Sequence, residues 1–224
     1  RQLLERLKAW DTSAATAIGQ IHVSQRGGFG RTLIDAEDEA VDALGYVMRY
    51  RDLADALDAG LRADQVRAAC SVDALDADEQ GVRVDVTHEG LGKRILARLV
   101  VHAEGTPGDE DEVRVTDYHQ HAIVADVGVR GGHRHRAWER FTPDGPLALL
   151  PLDDGYSIVF TVPQEKATRL LALDDANFLV ALGEQFGRRM DWISVGPRAS
   201  FPLALRVRSP LVRPRQVWIG NAAQ

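Results

Sequence analysis

The sequence predicts an α+β fold with a largely antiparallel sheet, and three observations support this prediction. Helix-like stretches lie early in the chain, runs of β-type residues follow them, and short Gly- or Asp-containing turns separate those runs. The 224 residues are enough to bury the core of one larger domain or of two small ones. We therefore expect helices and an antiparallel sheet to be segregated along the chain.

The first part of the chain is predicted to alternate between short helices and short strands. Leu3, Leu4, Leu7 and Trp10 lie at helical spacing, which predicts an amphipathic helix over 1–10. The elements that follow are predicted as a strand at 20–25, a glycine-rich turn, a strand at 32–35, a helix at 36–45, a strand at 46–49 and a helix at 50–60. Gly45 and Gly60 are expected to end the two later helices.

The second part is predicted to be mostly β-structure. The predicted elements are a meander of strands at 65–75, 81–90 and 93–105, a hairpin of 117–129 with 135–142, a hairpin of 145–152 with 156–162, a helix at 176–187, and strands at 192–196, 199–207 and 216–219. The first hairpin is predicted from the turn Arg130-Gly131-Gly132 and the second from Asp153-Asp154-Gly155. Either Asp174 or Asp175 is expected to cap the helix.

Composition excludes some classes of partner. A formal net charge of -6 argues against nucleic acid, because phosphate binding requires a basic surface. The single cysteine, Cys70, leaves no disulfide within the chain and is interpreted as a buried structural thiol in a strand. No apolar run reaches the roughly 20 residues of a membrane-spanning helix.

Two motifs have features of binding sites, but a structural interpretation is favoured for each. The "GGFG" stretch at Gly27–Gly30 lacks the Lys-Ser/Thr of a phosphate loop, so a hairpin turn is favoured. The pairs His119/His121 and His133/His135 have a spacing that metal sites use, but the predicted hairpin places the two pairs far apart. We interpret them as polar strand faces. The acidic run Gly108–Glu112 is interpreted as a solvated loop.

Three stretches of the chain together carry a resemblance to a known family. They are "IHVSQRGGFGRTLIDAEDEAVDALGYVMR", "GPLALLPLDDGYSIVFT" and "FPLAL…VWIGNAAQ". In this order they resemble the flavin-dependent ring hydroxylases of ubiquinone biosynthesis, whose fold is that of p-hydroxybenzoate hydroxylase. In that fold a Rossmann-type FAD-binding domain is interrupted by a substrate domain with a mixed, largely antiparallel sheet.

The resemblance implies a division into domains. It assigns 1–105 to the central part of the FAD-binding domain, 106–215 to the substrate domain and 216–224 to the start of the returning FAD-domain segment. The family's G-x-G-x-x-G turn would lie before residue 1 and its H-P-x-x-G-Q-G motif after residue 224. We therefore expect the chain to be a piece of a longer protein and to lack hydroxylase activity by itself.

The resemblance also implies candidate site residues. Glu104 and Gly105 take the place of the family's Asp-Gly motif, which contacts FAD and NAD(P)H, and Gly220, Asn221 and Ala222 match the glycine-containing segment near the flavin. Phe201, Pro202 and Leu203 lie where the family borders its substrate. The resemblance leaves the catalytic side chains unknown, because the implied flavin chemistry needs little from the protein, and no metal is expected.

The function implied is hydroxylation of a polyprenylated phenol with FAD and NAD(P)H as cofactors. The implied partners are that phenol and a ubiquinone-biosynthesis protein complex, in the cytoplasm or peripheral to the inner membrane. The glutamate in place of the usual aspartate leaves an alternative open. In that alternative the protein is a non-catalytic module that binds a quinone intermediate or assembles a complex.

Overall fold

The computed structural model describes residues 1–108, 112–187 and 189–224. The helices are α1 (Gln2–Arg6), α2 (Tyr50–Asp58), α3 (Gln164–Leu171) and α4 (Asp175–Phe186), with a 3-10 turn at Gly220–Ala222. The strands are β1 (Ala15–Ile18), β2 (Gln20–Gln25), β3 (Arg31–Asp35), β4 (Gly45–Met48), β5 (Cys70–Ala77), β6 (Val82–His88), β7 (Leu91–Ala97), β8 (Val100–His102), β9 (Val113–Val129), β10 (Arg136–Phe141), β11 (Pro146–Leu152), β12 (Gly155–Pro163), β13 (Trp192–Val195), β14 (Ala199–Arg208), β15 (Val212–Arg213) and β16 (Gln216–Trp218). Among these residues, no helix has the length and apolar character needed to cross a membrane.

The chain divides into two compact units. Unit 1 comprises 1–60 and 119–203, and unit 2 comprises 61–118 and 204–224. The division falls within β9 and within β14. The assignment of 1–105, 106–215 and 216–224 to flavin and substrate domains stays a prediction.

Unit 1 is built on an eight-stranded sheet. Its strand order is β13-β9-β12-β11-β10-β2-β3, and β14 also pairs with β9. β10 pairs with β2 in parallel, whereas β11 pairs antiparallel with both β10 and β12. β1 and β4 form a separate antiparallel pair.

Helices α3 and α4 pack against the eight-stranded sheet and form the main core with it. Phe178, Leu182 and Phe186 of α4 are each 1 % exposed and share a cluster with the fully buried Ile158 and Phe160 of β12. The alternation of buried and half-buried residues along β12 follows from the period of two in a strand. Asp174 caps α4 by accepting a hydrogen bond from the Asn177 N–H at 2.8 Å.

Unit 2 contains two three-stranded sheets. β5, β6 and β7 form an antiparallel meander whose small core contains Val82, Val84 and Val86 of the central strand. Cys70 packs beside this core but is only half-buried, so its thiol is less enclosed than predicted. β15, β16 and β8 form the second sheet, in which β16 and β8 run parallel.

Much of the predicted order is confirmed. The fold is α+β and mostly sheet, "GGFG" forms the turn between β2 and β3, and β11 and β12 form the predicted hairpin at Asp153–Gly155. The strands at 20–25 and 46–49, the helix after residue 50 and the Asp174-capped helix are also present. The third meander run is divided into β7 and β8.

The predicted helix over 36–45 is wrong, because this segment forms turns. The Asp35 carboxylate accepts a hydrogen bond from the Glu37 N–H at 3.0 Å, and Ala40 has a φ of 53°. The segment carries four carboxylates and no basic side chain, so a helix would place Asp38 and Asp42 in repulsion at i and i+4. The first helix is also shorter than predicted, ending at Arg6 instead of Trp10.

The predicted hairpin of 117–129 with 135–142 is wrong as well. Gly131 and Gly132 do form a turn, but β9 pairs with β12 and β13, and β10 pairs with β11 and β2. The turn therefore connects two strands that are not neighbours. The acidic run at 108–112 includes Asp109, Glu110 and Asp111, which lie outside the described residues.

Candidate cofactor-binding site

The parallel pair β8–β16 brings the predicted cofactor residues to one edge of a sheet. In its register Val100 lies opposite Gln216 and His102 lies opposite Trp218. Glu104 and Gly105 follow β8, and the 3-10 turn Gly220–Ala222 follows β16. Because parallel strands present their carboxyl ends at the same edge, two segments more than a hundred residues apart lie beside each other.

His102 and Trp218 connect the two strand ends. Their rings are stacked, with centroids 4.3 Å apart and an interplanar angle of 4°. The Ile219 N–H donates to the His102 carbonyl oxygen at 3.0 Å. His102 Nε2 lies 3.0 Å from Gln216 Oε1, which is an acceptor only, so Nε2 carries a proton in this contact. These contacts fix the backbone from which both predicted segments depart.

Glu104 lies at the exposed end of this arrangement. Its side chain is 60 % exposed, and its Oε1 lies 3.7 Å from His102 Nδ1. The exposed carboxylate is available to accept hydrogen bonds from a ligand.

Two glycines leave open space beside the backbone at the same edge. Gly105 has a φ of 103° and Gly220 a φ of 55°, and a Cβ added at either would meet no heavy atom within 4 Å. Both conformations favour glycine, and both positions allow a ligand to approach the main chain. Asn221 is exposed, whereas Ala222 is 1 % exposed and packs inside the turn.

The guanidinium groups of two arginines lie over the indole ring of Trp218. The Arg208 guanidinium carbon lies 5.2 Å from the centre of the Trp218 rings, and that of Arg213 lies 5.7 Å away. Arg208 is 5 % exposed and lies 3.5 Å from the Glu112 carboxylate, with which Arg213 also forms an ion pair. The Arg208 N–H donates to the Ala223 carbonyl oxygen at 3.0 Å, which attaches the end of β14 to the segment after β16.

The residues predicted to contact substrate lie on β14. Phe201 is 55 % exposed, Pro202 is exposed and Leu203 is half-buried. They belong to unit 1, whereas Glu104, Gly105 and Gly220–Ala222 belong to unit 2. One neighbouring contact ties β14 to β9, between Ser200 Oγ and His121 Nδ1 at 3.1 Å.

The two histidine pairs do not form polar strand faces throughout. His119 and His121 lie on β9, but His133 and His135 lie in the turn before β10, with their rings 5.1 Å apart. In the described ranges no group of three or more His, Cys, Asp or Glu residues has the geometry of a metal site.

The chain has recognisable relatives among known proteins. No family model matches the chain. The ubiquinone hydroxylase UbiL of Rhodospirillum rubrum is 33 % identical over 100 % of the chain and 54 % of its own length. The 3-demethoxyubiquinol 3-hydroxylase of Escherichia coli is 26 % identical over 85 % of the chain and 50 % of its own length.

The chain is thus similar to hydroxylases of ubiquinone biosynthesis over most or all of its length. The human ubiquinone biosynthesis monooxygenase COQ6 is also similar, with 27 % identity over 60 % of the chain and 37 % of its own length. The chain spans about half the length of the bacterial hydroxylases that it matches.

Solved structures share the fold of this chain. Pseudomonas putida p-nitrophenol 4-monooxygenase superimposes with a TM-score of 0.67 at 14 % identity, covering 99 % of the chain and 59 % of that structure. The flavin-dependent halogenase CmlS superimposes with a TM-score of 0.65 at 14 % identity, covering 99 % of the chain and 43 % of that structure. The α+β architecture is therefore that of known flavin-dependent enzymes.

We use the name cofactor edge for the carboxyl ends of β8 and β16 with Glu104–Gly105 and Gly220–Ala222. The residues that join its two segments were not identified from the sequence. His102 and Trp218 were each placed in a predicted strand, but nothing predicted that those strands pair. The available signal was that both strands run into glycine-containing segments, Ala103–Gly105 and Gly220–Ala223, as expected at the carboxyl ends of neighbouring parallel strands.

Proposed function

We propose that the chain is part of an FAD- and NAD(P)H-dependent monooxygenase that hydroxylates a polyprenylated phenol in ubiquinone biosynthesis. The observation that carries this proposal is the parallel pairing of β8 with β16, which joins Glu104–Gly105 to Gly220–Ala222. Ligands of α/β sheets bind outside the carboxyl ends of parallel strands, where this edge lies. The similarity to named ubiquinone hydroxylases supports the same reaction class.

The residues at this edge fit a bound dinucleotide. Open space beside Gly105 and Gly220 allows close approach of the main chain, and Asn221 and Glu104 present exposed hydrogen-bonding groups. We assign Glu104 and Asn221 to hydrogen bonds with the cofactor, Gly105 and Gly220 to backbone contacts, and the buried Ala222 to the packing of the turn that presents Gly220 and Asn221. The stack of His102 on Trp218 keeps these two segments in place. When bound, FAD supplies the oxygen-transfer chemistry, and NAD(P)H supplies its electrons.

The substrate assignment rests on exposed apolar surface. Phe201, Pro202 and Leu203 present an aromatic ring, a rigid pyrrolidine and an aliphatic side chain on one strand. We propose that they contact the phenol or its prenyl tail and help to exclude water. A prenylated substrate is held in a membrane, so we place the complete protein in the cytoplasm with peripheral contact to the inner membrane, as a member of a biosynthetic complex.

The decisive experiment compares the chain with the complete protein that contains it. We expect the complete protein to purify with one FAD, to oxidise NAD(P)H and to add one oxygen atom to a short-chain prenylated phenol, measured by mass spectrometry. The isolated chain is expected to do none of these. A complete protein that binds no FAD would overturn the proposal, and activity in the isolated chain would overturn its predicted inactivity.

The second candidate is a non-catalytic module that binds a quinone intermediate or assembles a complex. The observation that favours it is that Glu104 stands in place of the family's shorter aspartate, with its carboxylate 3.7 Å from His102 Nδ1. This candidate predicts saturable binding of a prenylated quinone by the complete protein without FAD. Stoichiometric FAD in the complete protein would exclude it.

A further inference from the structure

An arginine-lined cavity lies in unit 1, formed by residues that the proposed function does not use. It has a volume of about 250 Å³ and lies between the β9–β10 turn and the segment after α4. The side chains that line it are Arg130, His133, Arg134, Arg136, Trp138, Tyr156, Arg189 and Met190. Four of these eight side chains carry a permanent positive charge, and none is a carboxylate.

The positive charges of this cavity are only partly neutralised. Arg130 Nε donates to the Asp191 carboxylate at 2.6 Å. Arg136 donates to the neutral Gln20 Oε1 from Nε at 2.9 Å and from Nη2 at 2.5 Å. Within the described ranges, Arg134 and Arg189 have no hydrogen bond or ion pair. The cavity therefore keeps two exposed guanidinium groups whose donors are available to a ligand.

The turn that carries these arginines is held in a defined shape. Its residues with positive φ are Gly131, Gly132, Arg134 and His135. His133 Nε2 lies 2.8 Å from the Asp153 carbonyl oxygen, and the Tyr156 hydroxyl donates to the His133 carbonyl oxygen at 3.2 Å. The Trp138 Nε1–H donates to the Tyr156 hydroxyl at 3.1 Å. The polar groups of Trp138, Tyr156 and His133 are thus paired within the protein, whereas Arg134 and Arg189 have no such partners in the described ranges.

The surroundings of Arg189 also show an excess of positive charge. Burial lowers the pKa of Arg140 below its ordinary value, and the charges of Arg189 and Arg26 lower it further. Burial likewise lowers the pKa of His22, with the Arg189 charge as the next cause. In both cases burial is the larger cause, and the positive charge of Arg189 acts in the same direction.

We propose that this cavity binds a phosphate group, carried by a soluble phosphate compound or by a phospholipid headgroup. Guanidinium groups present paired N–H donors that match phosphate oxygens, and they remain charged at any physiological pH. Arg134 and Arg189 supply the donors that contact the phosphate, and Arg130 and Arg136 add positive charge. The aromatic floor of Trp138 and Tyr156 limits the depth to which the phosphate enters.

The test titrates pyrophosphate into the complete protein and follows binding by calorimetry. We expect saturable binding that weakens by on the order of tenfold or more in Arg134→Gln and in Arg189→Gln, because each removes a charge-assisted hydrogen bond. Both side chains are exposed and without described partners, so the variants should remain folded and keep their FAD. Arg169→Gln, which removes an exposed arginine from α3, is the matched control and should bind as the unaltered protein does.

A second arm distinguishes the source of the phosphate. Flotation with vesicles that contain phosphatidylglycerol, compared with vesicles of phosphatidylcholine alone, measures lipid binding in the same variants. Binding to the anionic vesicles that is lost in Arg134→Gln assigns the phosphate to a lipid headgroup. Pyrophosphate binding without vesicle binding assigns it to a soluble compound. The proposal is overturned if neither probe binds, or if binding is unchanged in both cavity variants.

Discussion

The imidazole of His102 lies flat on the indole of Trp218, with centroids 4.3 Å apart, at the position where β8 and β16 are in register. The adjacent contact between His102 Nε2 and Gln216 Oε1 spans 114 positions of the chain, so the two strand ends are distant in sequence. All five predicted cofactor residues follow one or the other of these strands. The stack is therefore expected to influence both the stability of unit 2 and the geometry of the cofactor edge.

Removing the stack tests the first of these effects. In a double-mutant cycle of His102→Ala and Trp218→Leu, we expect a coupling energy of about 1 kcal/mol in the free energy of unfolding, since stacked ring pairs contribute this much beyond their burial. Urea denaturation of the four proteins measures it. His88→Ala combined with Trp218→Leu is the control and should be additive. Additivity in both cycles would show that the stack has no energetic role.

Glu104 tests the cofactor assignment. We expect Glu104→Gln to weaken FAD binding in the complete protein, because the neutral amide accepts weaker hydrogen bonds than the carboxylate. Glu104→Asp keeps the charge and should retain more FAD than Glu104→Gln. The absorbance ratio of flavin to protein after gel filtration measures this. Glu89→Gln, in the β6–β7 turn of the same unit, is the control. Equal FAD content in all four proteins would remove Glu104 from the site.

Gly155 tests the close approach of β12 to β9. A Cβ at this position would overlap the Val127 carbonyl oxygen and carbon, which belong to the backbone and have no rotamer to change. We expect Gly155→Ala to lower the free energy of unfolding by about 3 kcal/mol. Gly30→Ala, where an added Cβ meets nothing within 4 Å, should change it little. Thermal denaturation of both variants measures the difference in stability. Equal melting temperatures would contradict the close approach of Gly155 to the Val127 backbone.

Glu139 gives a prediction about pH. Burial raises its pKa above the ordinary value of 4.5, so the folded state holds this proton more tightly than the unfolded state. Stability from this group is therefore present below the unfolded pKa and is lost as pH rises through the raised folded pKa. We expect Glu139→Gln to raise the melting temperature at pH 7, with the gain vanishing below about pH 4. Glu165→Gln on α3 is the exposed control. A gain that is independent of pH would contradict the burial of Glu139.

Local signals predicted the parts of the fold in which sequence neighbours are also neighbours in space. The β11–β12 hairpin follows from Asp153, Asp154 and Gly155, and the α4 cap follows from Asp174, because turn and cap chemistry acts over three or four residues. The turn at Gly131–Gly132 was found by the same reasoning. Its strands were wrongly paired because β10 finds its parallel partner, β2, more than a hundred residues earlier.

The candidate site shows the same limit. The resemblance identified Glu104, Gly105 and Gly220–Ala222 by motif, but the motif gives no physical reason for their proximity. That reason is the pairing of β8 with β16, whose short strands carry no distinctive pattern of their own. The arginine cavity was missed because its lining comes from the β9–β10 turn, from β10 and β12, and from the segment after α4. No local pattern in the sequence predicts that these segments share a cavity.

The parallel pairing of β8 with β16 also affects how the protein is made. A ribosome that adds about 5–20 residues per second completes β8 some 6–23 seconds before Gln216 follows, given the 114 positions from His102. During that interval β16, the strand that pairs with β8, has not been synthesised, so the cofactor edge cannot form. This edge can consequently form only after both strands are synthesised, and a nascent chain stalled before residue 216 would be released with β8 unpaired.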